Sequence, residues 1–273
     1  MYKFKLIDFN VYNKNITKSK YYNIDGNNTD SKNFIIQMFG IDKNGKTASI
    51  IVDDFKPFFY IKVDDTWQHS TKTCFINELR EKISPFYENS TIDNTFVEQK
   101  TLYGFDADKL HKFIKLQFNN TEVLNQVKNL WYNIKKSKTE YIKTLKPEGY
   151  IFENTNTYLY EANFPPLLRL FHIKEISPSG WIRLLEKHCK IVKNKKTYCD
   201  YEYEVSFENI EKLDINDSVP YKQCSFDIEA SSSHGDFPLA IKDYKKLATD
   251  IINLLYRLNI QDKNILNKFL LQT

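Results

Sequence analysis

The sequence has few of the residues that build flexible linkers, disulfide frameworks or membrane spans. Its 273 residues include only 7 glycines and 8 prolines, which leaves little material for long flexible connections. Its 4 cysteines are scattered and show no paired metal-ligand spacing. No apolar run approaches the roughly 20 residues that a membrane-spanning helix requires, and no apolar block typical of a secretion signal follows Met1. We therefore expect an intracellular protein with reduced thiols and no membrane partner.

One cysteine segment allows an alternative interpretation as half of a metal site. His188 and Cys189 are adjacent, and Cys199 follows in the same stretch of chain. No second CxxC or HxxxH pair completes a zinc site. We therefore expect the two cysteines to be ordinary reduced thiols.

Arginine is also scarce, so lysine supplies most of the positive charge. The net charge is +4, which is compatible with a nucleic-acid partner but does not demonstrate one. Hydrophobic residues make up 41% of the chain and aromatic residues 15%. This composition indicates a folded protein with one large domain or two smaller ones.

The residue pattern predicts an α+β fold that is rich in strands. Alternating or short apolar runs predict strands at residues 2–11, 34–41, 47–52, 57–63, 95–102, 180–182 and 201–213. Helical spacing predicts helices at residues 75–83, 167–173 and 241–258. Residues 214–220 are polar and end in proline, so we place a domain boundary there and expect domains at residues 1–219 and 220–273.

A further helix is predicted from Thr121, with Thr121 as its N-cap. Its apolar positions run to Leu130, Trp131 and Ile134 with helical spacing. The lysines of residues 135–138 would then lie at the helix C-terminus, where cations are favourable. Another lysine-rich run, residues 190–196, is typical of a solvated turn.

Two acids in residues 224–230 are the strongest candidates for chemistry. This segment has the pattern of an apolar strand in which Asp227 and Glu229 lie two residues apart on the same face. Two neighbouring carboxylates repel each other unless a cation lies between them. Hard oxygen ligands of this kind suit Mg²⁺ or Mn²⁺. His234 follows nearby, and we interpret it as incidental.

The sequence around this pair resembles family B DNA polymerases, in particular the delta-like group of large DNA viruses. Residues 225–229 (SFDIE) and 235–238 (GDFP) are similar to the first exonuclease motif and the segment after it. Upstream, the blocks YEANF (160–164), LLRLF (167–171) and GWI (180–182) resemble the stretch before the exonuclease domain. Residues 102–105 and 113–116 are similar to a block of the N-terminal domain.

The resemblance implies a fold, a reaction and a cofactor. It implies a mixed, β-rich N-terminal domain at residues 1–219, followed by the first strand and helix of a ribonuclease H-like 3′–5′ exonuclease domain. Asp227 and Glu229 would be catalytic residues and ligands of Mg²⁺ in a two-metal exonuclease site, which this sequence alone would leave incomplete. The partners would be primer-template and single-stranded DNA, at a viral replication site or in the nucleus or cytoplasm of the host.

The later motifs of the family do not occur in the sequence. The second and third exonuclease motifs and both palm motifs are missing between Glu229 and Thr273. We therefore expect an N-terminal fragment that is inactive alone and that a second polypeptide would complete. An alternative is a non-catalytic nucleic-acid-binding or interaction protein derived from a polymerase. A stand-alone ribonuclease H-like nuclease is disfavoured because no further acids follow in a strand–helix context.

Overall fold

Strands dominate the computed structural model, which describes residues 1–15, 32–83, 90–101, 108–136, 141–227 and 245–257. The chain divides into two compact units, Met1–Tyr221 and Lys222–Thr273. The first unit contains two large sheets, a separate two-stranded hairpin and three α-helices among its described residues. The predicted β-rich α+β class is confirmed.

The first sheet has seven strands, drawn from both ends of the first unit. They are β1 (Tyr2–Asn15), β2 (Lys32–Ile41), β3 (Thr47–Val52), β11 (Trp181–Leu184), β12 (Cys189–Ile191), β13 (Tyr201–Val205) and β14 (Ile210–Leu213). Their order is β12-β13-β3-β2-β1-β11-β14, and only the pairing of β13 with β3 is parallel among these described strands. The β2–β3 turn forms because the Asp42 carboxylate accepts the backbone N–H groups of Asn44 and Lys46, each at 2.8 Å. Gly45 adopts the left-handed conformation that the turn requires, with φ of 80°.

The second sheet has five strands, and two helices pack on one of its faces. The elements are β4 (Phe58–Lys62), α1 (His69–Lys82), β5 (Ile92–Gln99), β6 (His111–Phe118), α2 (Thr121–Lys128), β9 (Tyr150–Phe152) and β10 (Thr155–Tyr160). The strand order β5-β6-β4-β10-β9 gives the β-α-β-β-α-β arrangement of split βαβ folds, with β9 added at one edge. Phe75, Ile76 and Leu79 form the buried face of α1, as their helical spacing predicts.

The predicted length of the helix that begins at Thr121 is wrong. The helix ends at Lys128, a 3₁₀ turn covers Asn129–Trp131, and β7 (Tyr132–Lys136) pairs with β8 (Tyr141–Leu145). Trp131 is fully buried, and its indole N–H donates to the backbone carbonyl of Thr157 at 3.0 Å. This contact with β10 holds the chain at Trp131, and the following residues pair with β8 as a hairpin instead of continuing the helix.

The predicted N-cap of this helix is also wrong by one residue. The side chain of Asn120 accepts the backbone N–H of Val123 at 3.0 Å, so Asn120 is the N-cap. Thr121 is the first helical residue, and its backbone N–H donates to the side chain of Asn13 in β1 at 3.2 Å. Asparagine at an N-cap stabilises a helix about as well as serine or aspartate does.

A short helix, α3 (Pro166–Lys174), connects the two sheets. Proline stands in its first turn, where the missing N–H costs no hydrogen bond. Leu170 and Phe171 belong to the core beneath the seven-stranded sheet. Arg169, from the same helix, is also buried, and its guanidinium lies over the ring of Phe58 in β4 at 4.3 Å.

The second unit is described only in part. Residues 222–227 have no regular secondary structure, and α4 (Lys245–Arg257) lies within the helix predicted at residues 241–258. None of the described helices is long and apolar enough to cross a membrane.

Candidate functional site

The predicted acid pair lies where the description of the chain stops. Asp227 is exposed and is the final residue of the described stretch 141–227, whereas Glu229 falls outside the described residues. Residues 224–227, the described part of the predicted strand, form no strand, and the Phe226 side chain is 84% exposed. A strand forms only beside another strand that accepts its hydrogen bonds, and the described residues of the second unit include no other strand.

The donor chemistry of the pair fits a divalent metal, but the described residues do not assemble a metal site. Among them, no group of three or more His, Cys, Asp or Glu side chains is placed to hold an ion. Carboxylate oxygens are the ligands that Mg²⁺ prefers, so the side-chain types at 227 and 229 suit that ion. His234 also lies outside the described residues.

The alternative zinc half-site receives no structural support. Cys189 and Cys199 are free cysteines, and burial raises the pKa of the Cys189 thiol. A raised pKa disfavours the thiolate, which is the form that binds metals.

The block LLRLF has a structural function that its sequence does not reveal. The Arg169 guanidinium donates to a carboxylate oxygen of Glu161 at 2.5 Å and to the Glu161 backbone carbonyl at 3.0 Å. It also lies within 5.0 Å of the Phe164 ring. Glu161 itself adopts a left-handed backbone, with φ of 56°. Arg169 thus connects the end of β10, the turn before α3 and strand β4.

This arginine also covers aromatic residues of the five-stranded sheet on the face opposite α1 and α2. Phe58, Tyr60 and Phe113 form a chain of ring contacts on that face. Lys115 lies over Phe58 at 4.1 Å, and burial together with the nearby Arg169 lowers the pKa of its ammonium group. Aromatic residues on an open sheet can stack with nucleobases. Here the side chains of Lys115 and Arg169 already lie over the Phe58 ring.

The β7–β8 hairpin is a basic surface that the sequence prediction missed. Nine of its ten strand residues are exposed, and the two strands contain three lysines and no carboxylate. At its base, the Lys143 ammonium donates to the side-chain oxygen of Asn129 at 3.2 Å, and that of Lys128 donates to the side-chain oxygen of Asn163 at 3.3 Å. The signal in the sequence was the alternation of lysine with tyrosine and isoleucine.

Comparison with known proteins finds a family match for the C-terminal part of the sequence. Residues 157–268 match the sequence model described as "DNA polymerase family B, exonuclease domain". The matched residues run from β10 through α3 and the acid pair to α4.

Similar curated proteins point to the same family. The chain is 48% identical to the DNA polymerase of Phaeocystis pouchetii virus over 265 residues, which are 95% of this chain and 25% of that protein. It is 33% identical to the DNA polymerase of Pyramimonas orientalis virus, over 86% of this chain and 19% of that protein. The DNA polymerase delta catalytic subunit of Schizosaccharomyces pombe is 25% identical over 74% of this chain and 18% of its own length.

A solved structure of the family has a partial likeness in shape. The family B DNA polymerase from the hyperthermophilic archaeon Pyrobaculum calidifontis superposes with a TM-score of 0.48 and 14% identity. The alignment covers 81% of this chain and 21% of that one.

The motifs around residues 225–229 predicted a family B DNA polymerase, and the match of residues 157–268 to the exonuclease domain of that family agrees with the prediction, as does the similarity to viral DNA polymerases. Its relatives include viral DNA polymerases and delta catalytic subunits. The chain spans about a quarter of the length of the Phaeocystis pouchetii virus polymerase and about a fifth of that from Pyramimonas orientalis virus.

Proposed function

We propose that the chain forms the N-terminal part of a DNA-directed DNA polymerase with a 3′–5′ proofreading exonuclease. Residues 1–219 would be the N-terminal domain, and residues 220–273 would begin the exonuclease domain. The observation that supports this proposal is the exonuclease-domain match over residues 157–268, because that range includes both Asp227 and Glu229. The DNA would be primer-template and single-stranded DNA, at the site of replication in an infected cell.

Asp227 and Glu229 would hold Mg²⁺ and act in the exonuclease reaction. When bound, the metal would supply Lewis-acid stabilisation of the charge that develops at the phosphodiester. The two residues would contribute carboxylate oxygens from the same short segment, with Glu229 also orienting the attacking water. One acid pair is fewer carboxylates than a two-metal site requires. We therefore expect a second polypeptide or further sequence to supply the remaining ligands.

The experiment compares the 273-residue chain with a fusion that joins it to the remaining sequence of the Phaeocystis pouchetii virus polymerase. We expect the isolated chain to show no metal-dependent degradation of a 3′-labelled single strand. The fusion should degrade it with Mg²⁺, and Asp227→Ala or Glu229→Ala should reduce that rate at least about a hundredfold, because even the outer partners of metal ligands contribute roughly 10–100-fold. Primer extension by the same variants should persist.

The control is Asp250→Ala, which removes an exposed carboxylate of the second unit from α4. It should leave the degradation rate within about twofold of the parent fusion. Full exonuclease activity in the Asp227→Ala fusion would refute the assignment of this residue. Magnesium-dependent degradation by the isolated chain would refute the expected need for further ligands.

The second candidate function is that of a non-catalytic nucleic-acid-binding protein. The observation in its favour is the exposed, lysine-bearing β7–β8 hairpin of the first unit, which does not include Asp227. The fusion experiment separates the two functions, because a purely binding protein would give a fusion without exonuclease activity that still binds DNA.

A further inference from the structure

The β7–β8 hairpin combines positive charge with exposed flat and apolar side chains. Its register places Ile134 opposite Lys143, and Lys136 opposite Tyr141, on one face. The other face pairs Lys135 with Ile142. The Tyr141 ring is 67% exposed, and the Lys136 ammonium lies 5.9 Å from its centroid.

Among the described residues, no strand of the two large sheets pairs with this hairpin. The two strands form a sheet of their own, separate from both large sheets. A two-stranded hairpin is marginally stable alone, and its exposed apolar side chains mark a contact surface. An apolar protein partner would have to desolvate the lysines on both faces without neutralising them.

The base of the hairpin extends the positive surface onto α2. Burial and repulsion from the Lys143 ammonium group both lower the pKa of the Lys128 ammonium group. Both donate to amide oxygens of asparagines rather than to carboxylates. An anion placed between them would relieve the repulsion, as a phosphate group does at lysine-rich nucleic-acid sites.

We propose that this surface binds single-stranded nucleic acid, with Lys128, Lys136 and Lys143 contacting phosphates and Tyr141 stacking on a base. Single strands are favoured over duplexes because the exposed tyrosine can stack only on an unpaired base. The proposal rests on the proposed function only for the identity of the nucleic acid as DNA. It does not involve Asp227, Glu229 or a metal.

The test measures binding of the full 273-residue chain to a fluorescein-labelled oligo-dT of about 20 nucleotides by anisotropy, without Mg²⁺, at several salt concentrations. Lys136→Ala/Lys143→Ala should weaken binding at least about tenfold at low salt. It should also lower the slope of log Kd against log salt concentration by about 0.7 for each phosphate that the variant no longer neutralises. Tyr141→Ala should weaken binding about fivefold or more, as removal of one base–aromatic stack predicts.

Two matched variants distinguish a site from general positive charge. Lys187→Ala/Lys193→Ala removes the same charge from exposed positions elsewhere on the first unit and should change Kd less than about twofold. Lys136→Arg/Lys143→Arg keeps the charge and should retain binding. Circular dichroism melting of each variant shows whether it is folded, and the arginine variant retains the test if the alanine variant does not fold.

Three results would overturn the proposal. They are absence of oligo-dT binding by the parent chain, equal weakening by the Lys187→Ala/Lys193→Ala control, and equal affinity for a duplex of the same length with no effect of Tyr141→Ala. Because the assay contains no metal and Asp227→Ala should bind normally, its failure is distinguishable from failure of the exonuclease assignment.

Discussion

Replacing Phe75 by alanine should destabilise the first unit more than most single substitutions. Phe75 is fully buried on the inner face of α1. Its ring makes edge contacts with Trp67, Trp131 and Phe152, at centroid distances of 5.1, 6.3 and 5.2 Å. It also contacts Tyr150 at 6.0 Å. The ring therefore joins the helix to the turn after α2 and to β9.

The magnitude follows from this environment. Truncating a buried phenylalanine to alanine costs about 3–5 kcal/mol, including the cavity that remains. An edge-on arrangement of two aromatic rings contributes about 0.5–1.5 kcal/mol, part of which that range already includes. The neighbouring rings are anchored on separate elements and cannot close the cavity easily, so we expect a cost of about 4 kcal/mol. With a urea dependence of about 2 kcal/mol per molar, the unfolding midpoint should fall by about 2 M.

The assay is urea unfolding followed by tryptophan fluorescence. All 3 tryptophans of the chain lie in the first unit, and two of them touch the Phe75 ring. The control is Phe226→Ala, the same substitution at a side chain that is 84% exposed, and its midpoint should move by less than about 0.3 M. A Phe75→Ala midpoint within about 0.5 M of the parent would refute the assignment of this ring to the centre of the core.

Two further predictions concern charged groups of the first unit. Arg169→Ala should destabilise the unit by about 2–4 kcal/mol, since it removes the packing over Phe58 and leaves a cavity. Arg169→Lys should restore little of this stability, because an ammonium group cannot stack as a planar guanidinium does. Urea unfolding measures the stability of both variants, and full stability of Arg169→Ala would contradict the packing role of Arg169. The hydrogen bond from the backbone N–H of Thr47 has the largest effect on the Asp200 carboxyl group, and the hydrogen bond from the Lys46 side chain has the next largest. Together they lower the pKa of Asp200 to about 2. Its stabilising effect is therefore complete above about pH 4 and disappears as the pH falls towards about 2. Asp200→Asn should lower Tm at about pH 6 and have a much smaller effect at about pH 2.5, and an equal effect at both pH values would contradict the assignment.

Local patterns in the sequence predicted most strands of the seven-stranded sheet, and they also predicted the helix α1. The apolar runs at residues 34–41 and 47–52 predicted β2 and β3, because a strand pattern is set within a few residues. The end of α2 was mispredicted because the deciding contact, from Trp131 to Thr157, joins residues far apart in sequence. The strands at residues 141–160 were missed for the same reason, since β10 is fixed by its pairing with β4.

The candidate site was predictable only as chemistry. The SFDIE motif indicates the type of side chain at 227 and 229, and the family assignment agrees with it. The arrangement of the ligands depends on segments that pair with this one, which no local pattern specifies. The lysines of the β7–β8 hairpin at residues 135 and 136 were wrongly assigned to a helix C-terminus, because the helical spacing of apolar residues continues by coincidence to Ile134.

The strand order of the first unit has a consequence for the synthesis of the chain. Strands β4, β5, β6, β9 and β10 form the five-stranded sheet from one continuous segment, whereas the seven-stranded sheet joins residues before β4 to residues after α3. During synthesis on the ribosome, all strands of the five-stranded sheet are available once Tyr160, the last residue of β10, has emerged. At that stage the edges of β1 and β3 have no partner strands, because β1 pairs with β11 and β3 pairs with β13, which are synthesised later. Translation thus completes the strands of the five-stranded sheet first. The seven-stranded sheet can form in full only when Leu213, the last residue of β14, has been made.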